Sequence, residues 1–137
     1  MKVGILGGGQ LAMMMIQSSI KDNIEFVVVD PSDNPPASKY VKCIKSEFDN
    51  EEMLNRLTQE CDVVTIDFEN VPSSALKYLE GKIDVHPNSK AVELCQDRFK
   101  EKKLFEECGI PVTRYNKIDD IDSLFVSKES FSNGAIL

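Results

Sequence analysis

Three runs of apolar residues, at 3–6 (VGIL), 26–29 (FVVV) and 63–66 (VVTI), recur along the chain with helical stretches between them. The run at 26–29 is too continuously apolar to have a wet face, so it suits a strand covered on both sides. Strands of that kind alternating with helices imply a parallel sheet with helices packed on both faces. The expected fold class is therefore α/β, a doubly wound parallel sheet.

The rest of the chain fills in that frame. A helix is expected over 10–20, with Leu11, Met14, Met15 and Ser18 on its buried face, and the second strand ends at Asp30 and Pro31. Three prolines make 31–37 a loop, and a short strand follows at 43–45. Residues 51–60 place Met53, Leu54 and Leu57 on one side of a helix whose acidic first residues suit the positive end of its dipole. A fourth strand is read at 62–66, a helix capped by Ser73 and stopping near Gly81, and a fifth strand at 83–85 closed by Pro87. The longest helical stretch, 90–108, sets Ala91, Leu94, Cys95, Phe99, Phe105 and Cys108 near one face, with a break near Gln96 or Asp97. After Gly109 and Pro111, residues 112–115, a helix at 118–126 and the apolar end at 135–137 resemble the start of another unit.

Composition excludes several roles. With 16 Lys and Arg against 23 Asp and Glu, the net charge of -7 leaves no basic stripe for nucleic acid. No stretch has the apolar length of a signal peptide or a membrane span, which points to a cytoplasmic protein. Cys43, Cys61, Cys95 and Cys108 form no C-x-x-C pair, and His86 has no close Cys or His companion. That pattern fits buried free thiols, with no metal site and no disulfide frame.

Two constellations carry chemistry. Gly7, Gly9 and Ala12 fit G-x-G-x-x-A between a strand and a helix, a Rossmann-like context in which backbone N–H groups at the helix start can cradle a phosphate. The alternative is a tight turn that serves only close packing. Asp30 lies about 20 residues on, where a dinucleotide fold places the acid that holds a ribose hydroxyl, so an NAD(P)-binding oxidoreductase fragment is a rival reading. Asp before Pro at a strand end is equally ordinary turn chemistry. In the second constellation, 63–72 (VVTIDFENVP), an apolar strand runs into Asp67 and Glu69, two residues apart and able to face one crevice. Loops after the first and fourth strands flank the point where strand order reverses, which makes the glycine turn and Glu69 expected neighbours. The competing view makes these carboxylates a solvated turn or caps for the following helix.

Gly7-Gly8-Gly9-Gln10-Leu11, Val29-Asp30-Pro31, Cys61-Asp62-Val63-Val64-Thr65, Phe68-Glu69-Asn70-Val71-Pro72, Gln96-Asp97-Arg98 with Glu101-Lys102, and Gly109-Ile110-Pro111 follow one another in a definite order and spacing. In both, the chain resembles the 5-(carboxyamino)imidazole ribonucleotide synthases of the ATP-grasp superfamily. The resemblance implies a pre-ATP-grasp, Rossmann-like substrate-binding domain at 1–110 and the beginning of an ATP-grasp nucleotide-binding domain at 111–137. It implies a purine-biosynthesis ligase that joins bicarbonate to the amine of 5-aminoimidazole ribonucleotide, using ATP and Mg2+ and releasing ADP and phosphate, with a homodimer as the assembly. Gly8, Gly9, Gln10 and Leu11 would hold the 5′-phosphate, Glu69 and Asn70 would face the imidazole amine or ribose, and Arg98 would reach toward ATP. An ordinary surface ion pair with Glu101 is the plainer role for Arg98.

The chain departs from the family at Ala12 and Met13, where Gly and a cation are usual, and at Ile66-Asp67, where Tyr-Glu is common. The family's nucleotide lysine, second glycine loop and metal carboxylates have no counterpart here. The expectation is the N-terminal piece of a ligase, with no catalytic residue of its own, no tight ATP or Mg2+ binding and no activity alone. A non-catalytic interaction domain is the remaining alternative.

Overall fold

The computed structural model describes residues 1–128 and 131, and the chain divides into two compact units at Asp97 and Arg98. The first unit runs β1 (Lys2–Leu6), α1 (Gln10–Ser18), β2 (Glu25–Asp30), β3 (Cys43–Lys45), α2 (Glu51–Glu60), β4 (Val63–Ile66), α3 (Ser73–Glu80), β5 (Asp84–Val85) and α4 (Ser89–Cys95). Among the described residues the strands form one sheet in the order β3-β2-β1-β4-β5. Every pairing is parallel, as the apolar runs require. The order reverses at β1, so the loops after β1 and β4 leave the same edge of the sheet side by side.

Alternation along the strands divides the core between two faces. Leu6, Val27, Val29 and Val64 pack with Leu54 and Leu57 of α2, Ala75, Leu76 and Leu79 of α3 and Val92 of α4. Ile5 and Val28 face the other way, onto Ala12 and Ile16 of α1 and Ala37 of the 3-10 turn Pro36–Lys39. Each fully buried Leu or Val of this kind contributes about 1.5–3 kcal/mol of transfer free energy.

Helix α1 corrects the expected face. Ala12 and Ile16 are its buried residues, while Leu11 and Met14 are 59% and 57% exposed. Residues 11–16 are apolar without interruption, so periodicity cannot select a side. The rotation is chosen by the small Ala12, which lets the helix lie close on the sheet, and by a tether on its N–H described below.

Helix ends follow local chemistry in part. The Asn50 side chain accepts a hydrogen bond from Met53 N–H at 3.0 Å to cap α2, and Asn88 does the same for Ala91 N–H at 2.8 Å in α4. Ser73 does not cap α3: it is the first helical residue, after Pro72, and makes no capping bond. The helical stretch at 90–108 is broken at Gln96 and Asp97, as expected, into α4 and α5 (Arg98–Glu107). Val92 and Ser89 are the buried residues of α4, whereas Cys95, Phe105 and Cys108 are exposed. In the second unit, the Phe99 and Tyr115 rings meet edge to face at 5.7 Å. Helix α6 spans Ile121–Lys128, starting and ending later than the helix expected at 118–126. The apolar segment at 135–137 lies outside the described residues.

Candidate functional site

The register of the sheet sets the site. Leu6 at the end of β1 is opposite Val29 of β2 and Ile66 of β4. Asp30 and Asp67, each one residue further on, therefore flank Gly7 and the turn that follows. Gly7 has φ +102°, a conformation that favours glycine, and a Cβ there would lie 2.6 Å from the Cβ of Asp67. At Gly9 an added Cβ would meet Asp67 Oδ2 at 2.3 Å, so the turn and this carboxylate are fitted to each other.

Both acids turn inward onto the backbone. Gly8 N–H donates to Asp30 Oδ2 at 2.7 Å, and the other oxygen of Asp30 accepts from Ser32 N–H at 2.8 Å. Gly9 N–H donates to Asp67 Oδ2 at 2.8 Å, and Ala12 N–H to Asp67 Oδ1 at 2.5 Å. Gly9 is the N-cap of α1 and has no side chain to cap with, and the first turn of α1 contains no acidic residue. Asp67 supplies that missing cap from a different strand, placing a negative charge at the positive end of the helix.

This corrects the expectation that Gly8 and Gly9 present open amides to a phosphate. Their N–H groups are already satisfied by the chain's own carboxylates. Among the described residues, only Gln10 and Leu11 of the α1 N-terminus carry N–H groups without an acceptor, and both residues are exposed. The rival reading of Asp30 changes too, because its carboxylate is buried and serves Gly8 and Ser32. The charge of Asp30 adds to the effect of burial in pushing the Cys43 thiol up.

Asp67 and Glu69 do not face one crevice. β4 ends at Ile66, and beyond it the chain is no longer extended, so spacing by two stops predicting a common side. Asp67 is buried under the glycine turn, while Glu69 and Asn70 are exposed. Between them Phe68 packs edge to face on Phe48 at 5.8 Å and lies against Gly7, and beyond them Val71 is fully buried. The loop thus presents Glu69 and Asn70 from between anchored neighbours at the sheet edge that carries the glycine turn. The role of Asp67 was missed in the sequence. Its signal is an acid one residue past a strand end, aligned with Asp30 across β1, and that alignment exists only once the register is known.

Residues 1–96 match the profile of the ribonucleotide synthetase preATP-grasp domain. The chain belongs to the ribonucleotide synthetase preATP-grasp domain family. This preATP-grasp chain is 40% identical over 125 residues to the N5-carboxyaminoimidazole ribonucleotide synthase of Staphylococcus aureus strain COL, an alignment covering 88% of this chain and 33% of that protein. It is similar in fold to the N5-carboxyaminoimidazole ribonucleotide synthetase of Thermus thermophilus, with a TM-score of 0.85 and 34% identity over 96% of this chain and 36% of that one. A third relative, the N5-carboxyaminoimidazole synthase of Aspergillus clavatus, was solved in complex with ADP and 5-aminoimidazole ribonucleotide. It matches with a TM-score of 0.83 and 30% identity, covering 96% of this chain and 36% of that one. The chain spans about a third of the length of the curated relatives it matches.

Outside the preATP-grasp sheet, Arg98 opens α5. Its side chain is 79% exposed and pairs with Glu101 at 2.5 Å, the ordinary surface arrangement. A concavity of about 520 Å³ in the second unit is lined by Phe99, Glu106, Arg114, Tyr115 and Lys117 among others. All four cysteines are free. Cys43 and Cys61 are half-buried, but Cys95 and Cys108 are exposed, so the expectation of buried thiols holds for neither of that second pair. Among the described residues no three His, Cys, Asp or Glu side chains gather to hold a metal ion, and no helix is long and apolar enough to cross a membrane.

Proposed function

We propose that this chain is the substrate-binding part of a cytoplasmic ligase of purine biosynthesis. The reaction carboxylates 5-aminoimidazole ribonucleotide with bicarbonate and ATP, giving 5-(carboxyamino)imidazole ribonucleotide, ADP and phosphate. The observation that carries the reading is the convergence of the glycine turn and the Glu69-Asn70 loop at one edge of the sheet, where this fold class binds ligands. The substrate-binding domain is assigned to residues 1–110 and the beginning of the nucleotide-binding domain to 111–137. A homodimer is the assembly we expect.

In this site Gly8 and Gly9 shape the floor, and the open amides of Gln10 and Leu11 receive oxygens of the 5′-phosphate at the positive end of α1. Glu69 accepts hydrogen bonds from the amine or the ribose hydroxyls, with Asn70 beside it. Asp67 lies close to the phosphate position and repels it, and Met13 supplies no compensating cation. Phosphate contact with the turn is therefore weak, and most selectivity falls to Glu69 and Asn70. ATP would supply the phosphoryl group that activates bicarbonate. To meet a nucleotide phosphate, Arg98 would exchange Glu101 for it, which a planar guanidinium can do. No step of the reaction is assigned to a metal on this chain.

The test is a calorimetric titration of the chain with 5-aminoimidazole ribonucleotide, with Glu69→Ala as control and NAD in a parallel cell. Saturable binding of the ribonucleotide that weakens in the variant supports the reading. Binding of NAD with none of the ribonucleotide sinks it. The NAD reading is disfavoured by Asp30, whose carboxylate bonds to the chain's own backbone instead of standing open to a ribose.

A further inference from the structure

The Gln96 side chain spans from the end of α4 to the loop after β4. Its Nε2 donates to the carbonyl oxygen of Glu69 at 2.7 Å and to that of Val71 at 2.8 Å. One primary amide nitrogen carries two N–H groups, and here both are spent on carbonyls two residues apart, on either side of Asn70. We propose that Gln96 is a positioning residue that holds Glu69 and Asn70 in the orientation in which they meet the ligand. This rests on the substrate site proposed above.

The anchoring on each side supports it. Gln96 terminates α4 with its own N–H donated to Val92 carbonyl at 3.0 Å, and Val92 is buried in the core. The start of α4 is fixed by Asn88 on Ala91 N–H and by Ser89 Oγ donating to Glu80 Oε2 at 2.7 Å. The brace therefore hangs from a rigid element. On the loop side, Asp67 is tied to α1 and Val71 is buried, which leaves the backbone of 69–70 as the part of the loop without an anchor of its own. Gln96 reaches that part and its immediate neighbour Val71. The side-chain length matters: Asn is one methylene shorter, and Glu has the same shape but, ionised, offers no donor to a carbonyl.

The experiment compares the wild-type chain with Gln96→Glu and Gln96→Leu. Binding of 5-aminoimidazole ribonucleotide is measured by calorimetry, backbone order at Glu69, Asn70 and Val71 by 15N relaxation, and stability by thermal melting. In both variants we expect about tenfold weaker binding, the loss of two neutral hydrogen bonds' worth of ordering. Order parameters at residues 69 and 70 should fall below about 0.6, with those of the buried Val71 and of α3 and α4 unchanged and the melting midpoint lowered by roughly 4–8 °C, the share of the two lost hydrogen bonds. Unchanged loop order and affinity in both variants would overturn the proposal. So would a large fall in melting midpoint with loss of order throughout α4, since Gln96 would then hold the fold and not the loop. If the wild-type chain does not bind the ribonucleotide, the proposed function fails and takes the ligand role of Gln96 with it. The relaxation comparison still decides whether Gln96 braces the loop, so the two failures are told apart.

Discussion

Replacing Asp67 with alanine removes the acceptor of two N–H groups, those of Gly9 and Ala12. Ala12 is fully buried, so its donor is left without a partner and costs about 1–3 kcal/mol. Gly9 is half-buried, and water can reach it, which puts its loss near the lower end of the same range. The lost cap is worth about 0.5–2 kcal/mol on its own scale and the helix dipole term about 0.3–1 kcal/mol. These describe the same two bonds and are not added to the first figures. The expected net destabilisation is about 2–4 kcal/mol, or a fall of roughly 10 °C or more in melting midpoint for a unit of this size. Urea unfolding followed by circular dichroism measures it. Asp67→Asn, which keeps one oxygen but turns an N–H2 toward an N–H, should fall between wild type and the alanine variant. Glu69→Ala, which removes an exposed carboxylate from the same loop, should cost less than about 0.5 kcal/mol. If Asp67→Ala is as mild as Glu69→Ala, the cap from across the sheet does not hold the turn and the reasoning is refuted.

Two further outcomes follow from titrating groups. The N–H and hydroxyl of Ser89 donate to the Glu80 carboxylate and hold it below the usual carboxylate range, aided by Lys77. A carboxylate lowered on folding stabilises above its unfolded value of about 4.3 and loses that contribution as pH falls through its lower folded value. Urea midpoints should accordingly drop less steeply below pH 4 in Glu80→Gln than in wild type, and parallel curves would discard the idea. Burial pushes the Cys61 thiol up to about 11. A thiol raised on folding stabilises below its unfolded value of about 8.5 and loses this as pH rises toward 11. At pH 8 a disulfide reagent should label the exposed Cys95 and Cys108 within the mixing time of a manual assay, and the half-buried Cys61, with its raised thiol, more slowly. Equal labelling rates for all the cysteines would contradict the burial of Cys61.

The amino-acid sequence by itself determined the fold class and nearly every element. Runs such as Val27, Val28 and Val29 can only be buried on both sides, and Asn50, Pro31 and Gly109 end or begin elements through local chemistry that needs no partner. It also carried the family, through Phe68-Glu69-Asn70-Val71-Pro72 and Gln96-Asp97-Arg98. What it left open had a common physical cause. The face of α1 could not be read because residues 11–16 are apolar all round, and the fate of Asp67 could not be read because its partners lie more than 50 positions away. Only the tertiary structure brought Asp30 and Asp67 level with Gly7, by the register of three parallel strands, and so filled the glycine turn with carboxylates. Only the packing of α4 beside the β4 loop put Gln96 onto the carbonyls of Glu69 and Val71. Local sequence sets which conformation a segment prefers; which distant donor meets which acceptor is decided when the sheet closes and each buried polar group must find a partner.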